Sequence, residues 1–197
     1  MSAAVEGVAS ADSLGDRMKR FECAARTTLP PRMPVILRVD GRAFHTYTRG
    51  CQRPFDEPLM RAVDAVAMAL CEDIQGAQIA YVQSDEISLL VHGYKRFASA
   101  AWFDNQIQKI VSVAAAIAAS VMTERSVGVF GEVRPAAFDA RAFVLPEREV
   151  ANYFVWRQQD ATRNSVQMLA RALASHGECL RKNQAALHDL IHERGRN

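Results

Sequence analysis

Residues 77–91 read Ala-Gln-Ile-Ala-Tyr-Val-Gln-Ser-Asp-Glu-Ile-Ser-Leu-Leu-Val. Ile79 and Tyr81 alternate with Gln78 and Ala80, and Ile87, Leu89 and Val91 alternate with Ser88, Leu90 and His92. Side chains that alternate with a period of two belong to strands, and the polar residues between the two runs belong to a turn. The stretch therefore predicts a β-hairpin turning at Ser84-Asp85. Upstream, Val35–Asp40 is an apolar run too continuous for an edge strand, and it predicts a central one. The stiff segment 28–34, with three prolines, delivers the chain into it.

Between these strands, Leu59, Val63, Val66 and Leu70 recur at helical spacing, with Arg61, Asp64 and Glu72 on the other faces. A second helix is expected roughly over 99–122, with Phe103, Ile107, Ile110, Ala114, Ile117 and Val121 on one stripe. A final strand fits Arg141–Leu145, stopped by Pro146, and two further helices fit Val150–Leu173 and Leu180–Arg194. A short helix is expected at Asp16–Arg26. Strand, helix, strand, strand, helix, strand is the split βαβ order. The predicted class is α+β: a ferredoxin-like βαββαβ antiparallel sheet with helices on one face, plus C-terminal helices. The expected division is a mobile tail over 1–15, a sheet domain over 16–146 and a helical segment over 147–197 packed on it.

Composition bounds the rest. A chain of 197 residues with 49% hydrophobic residues can bury a core without covalent staples. Its 24 basic and 22 acidic residues give a net charge of +2, so any nucleic-acid contact must come from a local patch. Cys23, Cys51, Cys71 and Cys179 lie far apart with no C-x-x-C pair, which points to reduced thiols in a cytoplasmic protein. The N-terminus lacks the pattern of a secretory signal, and the longest apolar run, Val113–Ala119, is far short of a membrane span, so a soluble protein with no membrane partner is expected.

In the split βαβ order the first two strands run the same way, so the end of the first strand and the hairpin turn share one sheet edge. Asp40 and Asp85 are thereby brought together. Two such carboxylates repel unless a cation lies between them, and in phosphate chemistry that cation is Mg²⁺, singly or as a pair. A solvated turn Asp beside a strand-terminal Asp is the alternative that spacing leaves open. After Asp40 come Gly41, Arg42, Ala43, Phe44 and His45, whose backbone N–H groups and guanidinium could cradle a polyphosphate; there is no Walker A motif. Arg38 shares the strand face of Asp40 and belongs either to this site or to the surface. Lys109, between Ile107 and Ile110, reads by itself as a solvated helix lysine.

Four ordered blocks, Arg38–His45, Gln83–Glu86, Phe138–Arg141 and Trp156–Asn164, resemble the signature blocks of the tRNA-histidine guanylyltransferase family and its guanylyltransferase-like relatives. The resemblance covers about residues 16–176. It implies a palm-type nucleotidyltransferase adding nucleotides to the 5′ end of tRNA in the 3′-to-5′ direction, with ATP and GTP as substrates. It also implies that Asp40 and Asp85, with the Gly41 carbonyl, hold two Mg²⁺, supported by Glu86. The backbone of Arg42, Ala43, Phe44 and His45, with Ser84 and Lys109, would hold a triphosphate. Arg53 falls where the family commonly has a lysine, which keeps the charge and changes the geometry. Arg141, Arg157, Asp160 and Asn164, with Arg38, would lie near the nucleotide and the tRNA end; Trp156 fits that place or core packing. A homo-oligomer, a tetramer or a dimer, is also implied.

Where histidine-specific members read His-x-Asn-Asn, this chain has Thr162, Arg163, Asn164 and Ser165, so it resembles more the branch that repairs 5′-truncated tRNA. Ala140 also replaces a family glycine. Addition of a single guanosine to histidine tRNA is the alternative. A palm-type nucleotidyl cyclase and an inactive RNA-binding protein are further ones, the last disfavoured by two intact aspartates. Arg157, Arg163, Arg171, Arg181 and Lys182 are read as an RNA phosphate surface or as an ordinary charged face. His188 and His192, four apart, are read as solvated in preference to zinc ligands, and Cys179 with His176 as incidental.

Overall fold

The computed structural model describes residues 12–93 and 98–195. Residues 1–11, most of the expected tail, lie outside the described residues. Four strands form one antiparallel sheet: β1 (Val35–Gly41), β2 (Ala77–Gln83), β3 (Glu86–Val91) and β4 (Phe138–Val144), in the order β2-β3-β1-β4. β1 is central, paired with β3 on one side and β4 on the other. This is the ferredoxin-like arrangement that the element order predicts.

Alternation along β1 divides the sheet into two faces. Val35, Leu37 and Val39 point to the face covered by α3 (Glu57–Asp73) and α4 (Ile107–Phe130), where they join Val66, Leu70, Ile87, Leu89, Ala114 and Met122 in the main core. α3 starts where the Asp56 carboxylate accepts the Leu59 N–H at 3.0 Å, with Pro58 in the first turn, where it lacks no hydrogen bond. Ile36, Arg38 and Asp40 point to the other face, which α5 (Val150–Leu173) crosses. Tyr153 and Arg157 of α5 are buried there. At the end of α5, Leu187 and Ile191 of α7 (Gln184–Glu193) pack on Val166 and Ala170.

Several boundaries differ from the sequence expectation. α4 spans 107–130, not 99–122. A 3₁₀ turn at Trp102–Asn105 precedes it, with Phe103 and Asp104 in left-handed backbone that no α-helix accommodates. At its other end the buried stripe Ile110, Ala114, Ala118, Met122 continues through a serine. Ser126 is wholly buried because its hydroxyl accepts the Arg134 N–H at 2.7 Å and donates to the Thr123 carbonyl at 2.6 Å, and Gly131 (φ 74°) closes the helix. β4 begins at Phe138 because Phe138, Ala140 and Ala142 alternate with Asp139 and Arg141, a pattern that small alanines hide. α1 spans Leu14–Ala24, capped by Ser13, whose side chain accepts the Asp16 N–H at 3.1 Å. Gly177 does not close α5; it lies within the short α6 (His176–Cys179), which Ser175 and Glu178 open with a reciprocal capping box.

α4 is also long and apolar enough, by length and composition, to span a bilayer, with a mean hydropathy of 1.4. Counting uninterrupted apolar runs missed this, because serine and glycine break a run without making a helix polar. In this fold its buried stripe packs on α3 and the sheet.

Candidate active site at the carboxyl end of the central strand

β1 and β2 end at the same edge of the sheet. There the Gly41 N–H donates to the Asp85 carbonyl across 3.2 Å, which ties the end of β1 to the hairpin turn. In the ladders Asp40 stands opposite Glu86 on one side and Asp139 on the other, so the three side chains share a face with Arg38 and Arg141. The Asp40 carboxyl is held above the usual carboxylate range, first by burial and then by repulsion from Glu86 and Asp139, against the pull of Arg38 and Arg141. Burial also pushes Asp85 up; hydrogen bonds from its own N–H and from Ser84 oppose it, and the charges of Asp40 and Glu86 add to it. Two partly desolvated carboxylates that both favour protonation describe a place where a cation would be welcome.

The turns beside them are strained in a consistent way. Ser84, immediately before Asp85, and Ala43, three residues after Asp40, both have left-handed backbone, at φ 56° and 54°. Gly41 meets a steric demand: a Cβ there would lie 2.2 Å from Phe44 Cδ2. The Phe44 ring, in the short α2 (Phe44–Tyr47), is buried, stacked on Tyr47 at 4.7 Å and tilted against Phe138 at 5.2 Å. So Phe44 faces the core, and only its backbone is available to a ligand. Arg42, Ala43 and His45 are exposed, and the Arg42 N–H is already bonded to the Ala137 carbonyl at 2.9 Å.

Other expected site residues fall into distinct places. Glu86 is closed off: Arg157 Nε donates to one of its oxygens at 2.7 Å and Nη2 to the other at 2.8 Å. Arg157 is therefore a buried ion-pair residue and no part of an exposed phosphate surface. Asp160 accepts from Arg157 at 3.0 Å, Arg163 at 2.7 Å, Gln83 at 3.3 Å and Asn164 at 3.4 Å, which fixes the middle of α5 to the end of β2. Trp156 is half-exposed, at odds with simple core packing. Arg53 is exposed on the loop before α3.

Lys109 is not brought to Asp40. β3 runs away from Asp85 to Val91, which pairs with Val35 at the entry of β1. α4 starts beside that same entry, where Ile107 N–H donates to Thr27 at 3.0 Å and Leu29 N–H to Asn105 at 2.9 Å. Within one chain about 17 Å of strand separates the two ends. A cavity of about 290 Å³, with Arg32, Gln75, His92 and Trp102 among its lining, also lies at this far end, away from the paired aspartates.

Sequence reasoning gave no role to Asp139, Ser88 or Tyr153, and named Gln83 only as part of a block. Asp139 lay within a block already singled out, and starting β4 at Phe138 would have placed it opposite Asp40. Among the described residues no three His, Cys, Asp or Glu side chains gather into a complete metal cage. The chemistry of the donors present, two desolvated carboxylates and a backbone carbonyl at Gly41, fits a hard divalent ion whose remaining positions are left to water and phosphate oxygens.

A family profile described as tRNAHis guanylyltransferase (Thg1) matches residues 15–146. The probable tRNA(His) guanylyltransferase of Mus musculus is 29% identical over 81% of this chain and 53% of its own. The chain spans about half or less of the length of such curated guanylyltransferases. A bacterial tRNA(His) guanylyltransferase (Thg1)-like protein in complex with ATP superposes with a TM-score of 0.91 at 47% identity, covering 94% of this chain and 82% of the other. A bacterial protein of the same description in complex with GTP gives 0.78 at 51% identity, over 81% of this chain and 76% of the other. With two thirds of its length under that profile and its paired aspartates at one sheet edge, the chain belongs to the tRNAHis guanylyltransferase family, a family of nucleotidyltransferases.

Proposed function

We propose that this protein adds nucleotides to the 5′ end of tRNA in the 3′-to-5′ direction, as a guanylyltransferase-like repair enzyme. The observation that supports this most is the convergence of Asp40 and Asp85 through the Gly41–Asp85 hydrogen bond, in a fold whose neighbours carry ATP and GTP. Asp40, Asp85 and the Gly41 carbonyl would hold two Mg²⁺. When bound, these ions supply charge neutralisation for phosphate oxygens and acidify an attacking hydroxyl.

In the first step a 5′-monophosphate oxygen of the tRNA attacks the α-phosphorus of ATP, and pyrophosphate leaves. In the second the 3′-hydroxyl of GTP attacks the activated 5′ phosphorus, AMP leaves and the hydroxyl proton passes to solvent. The protein's own part is to place groups. The backbone of Ala43, Phe44 and His45, with Arg42 and Ser84, receives the triphosphate; Arg141, exposed, and Arg38, largely buried, offer positive charge on the sheet face that Asp40 shares. Residues 16–146 form the catalytic palm in this reading, and 147–197 a helical segment on it. The working form is a cytoplasmic homo-oligomer, a tetramer or a dimer, and Lys109 reaches a triphosphate only if a second copy presents it.

The test uses labelled ATP, Mg²⁺ and 5′-monophosphorylated tRNA transcripts, some shortened at the 5′ end, with full-length histidine tRNA lacking its extra guanosine as a second arm. Adenylylated and then extended shortened tRNA supports the repair reading. Extension confined to histidine tRNA supports the narrower guanosine addition. A cyclic nucleotide, or binding without turnover, defeats both.

A further inference from the structure

Glu86 is a carboxylate that the proposed metal site does not use. It follows Asp85, stands opposite Asp40 in the β1–β3 ladder, and has a side chain only 13% exposed. Left to itself it would be a third negative charge beside the two ligands. It is instead held on the α5 side by the two-pronged bond from Arg157, by the Ser88 hydroxyl donating at 3.2 Å and by Arg38 Nη1 at 3.9 Å. Arg157 is pinned in turn by Asp160 at 3.0 Å and lies 4.5 Å from the Trp156 ring centre. A planar guanidinium on both oxygens fixes the plane of a carboxylate as well as its charge, which one ammonium cannot do.

We propose that Arg157 is a positioning residue of the metal site that acts through Glu86. Its buried guanidinium neutralises the third carboxylate and keeps it out of the cation's reach, so Asp40 and Asp85 are the carboxylates offered, beside the Gly41 carbonyl, and the other coordination positions stay open for phosphate oxygens. A third ligating carboxylate would tighten the hold on the divalent ion and occupy a position the triphosphate needs. This rests on Asp40 and Asp85 being the metal ligands.

The experiment measures Mn²⁺ binding to the full-length protein, without nucleotide, from the spin-resonance signal of the free ion, beside thermal unfolding and turnover. Arg157→Met is expected to bind Mn²⁺ about tenfold tighter while losing turnover, and Glu86→Gln about threefold weaker. The double variant E86Q/R157M should return to within about twofold of wild-type affinity and regain part of the lost turnover, an opposite-sign pattern that a merely structural role does not produce. Arg157→Lys, which keeps the charge and loses the two-pronged hold, should bind Mn²⁺ with an affinity between those of wild type and R157M. Should R157M fail to fold, E86Q and the double variant decide: equal affinities in these two overturn the proposal, as do equal affinities in wild type and a folded R157M. A wild-type protein that binds no Mn²⁺ at all overturns the metal assignment itself, and with it the role of Arg157.

Discussion

Gly41 and Asp85, remote in sequence, are joined by one backbone hydrogen bond of 3.2 Å, which brings Asp85 to the end of the strand that carries Asp40, close enough for the Asp40 charge to act on the Asp85 carboxyl. The bond closes the sheet edge where β1 ends and the hairpin turns. Both aspartates lie against this edge with raised proton affinity, at a cost to the fold that a bound cation would offset.

Replacing either aspartate separates chemistry from stability. Asp40→Ala and Asp85→Ala should each lower adenylylation and nucleotide addition by at least on the order of 10³-fold. The melting temperature of the metal-free protein should stay the same or rise by about 2–4 °C, since a repulsion is removed. Activity within tenfold of wild type in either variant would end the assignment.

Gly41→Ala tests the close approach of Gly41 to Phe44 in the loop after β1. Its new Cβ would run into the Phe44 ring, which Tyr47 and Phe138 hold in place, so the loop or the ring must move. The expected loss is about 2 kcal/mol in a denaturant melt, with a larger proportional loss of ATP affinity. Combining it with Phe44→Leu should recover part of the stability.

Ser126→Ala removes the acceptor for the Arg134 N–H and leaves that donor buried or forced to shift. Unfolding should be easier by about 1–2 kcal/mol, read as a melting temperature lower by about 2–8 °C. Turnover per folded molecule should not change, because this serine lies on the packed face of α4.

Asp160 gives a pH signature. The hydrogen bond from Arg163, with those from Gln83 and the charge of Arg157, holds its carboxyl below the ordinary 3.8. A lowered carboxyl stabilises the fold above its unfolded value and loses that contribution as pH falls through the folded one. Asp160→Asn should thus cost about 1 kcal/mol at pH 7, and the gap between variant and wild type should shrink as the pH drops below 3.8. A gap that is constant with pH would mean that the carboxylate charge is irrelevant there.

The order of elements, the hairpin at Ser84-Asp85, the central place of β1 and the meeting of Asp40 with Asp85 were all legible in the chain itself. Each follows from periodicity and from the fixed sense of strand connections, which are local or topological rules. The limits of α4 and β4 were not legible, because a buried serine looks polar until its hydroxyl finds Thr123 and Arg134, and alanines look neutral until their neighbours cover them. The fates of three basic residues lay further out of reach. Lys109, Arg141 and Arg157 are equivalent as letters, yet one stands at the far end of the sheet, one is exposed beside Asp139, and one is buried against Glu86. Charge is a property of the residue, whereas desolvation and partner are properties of the packed fold, so the sequence by itself could place two aspartates on one edge, and only the tertiary structure could decide that the third carboxylate beside them is already paired.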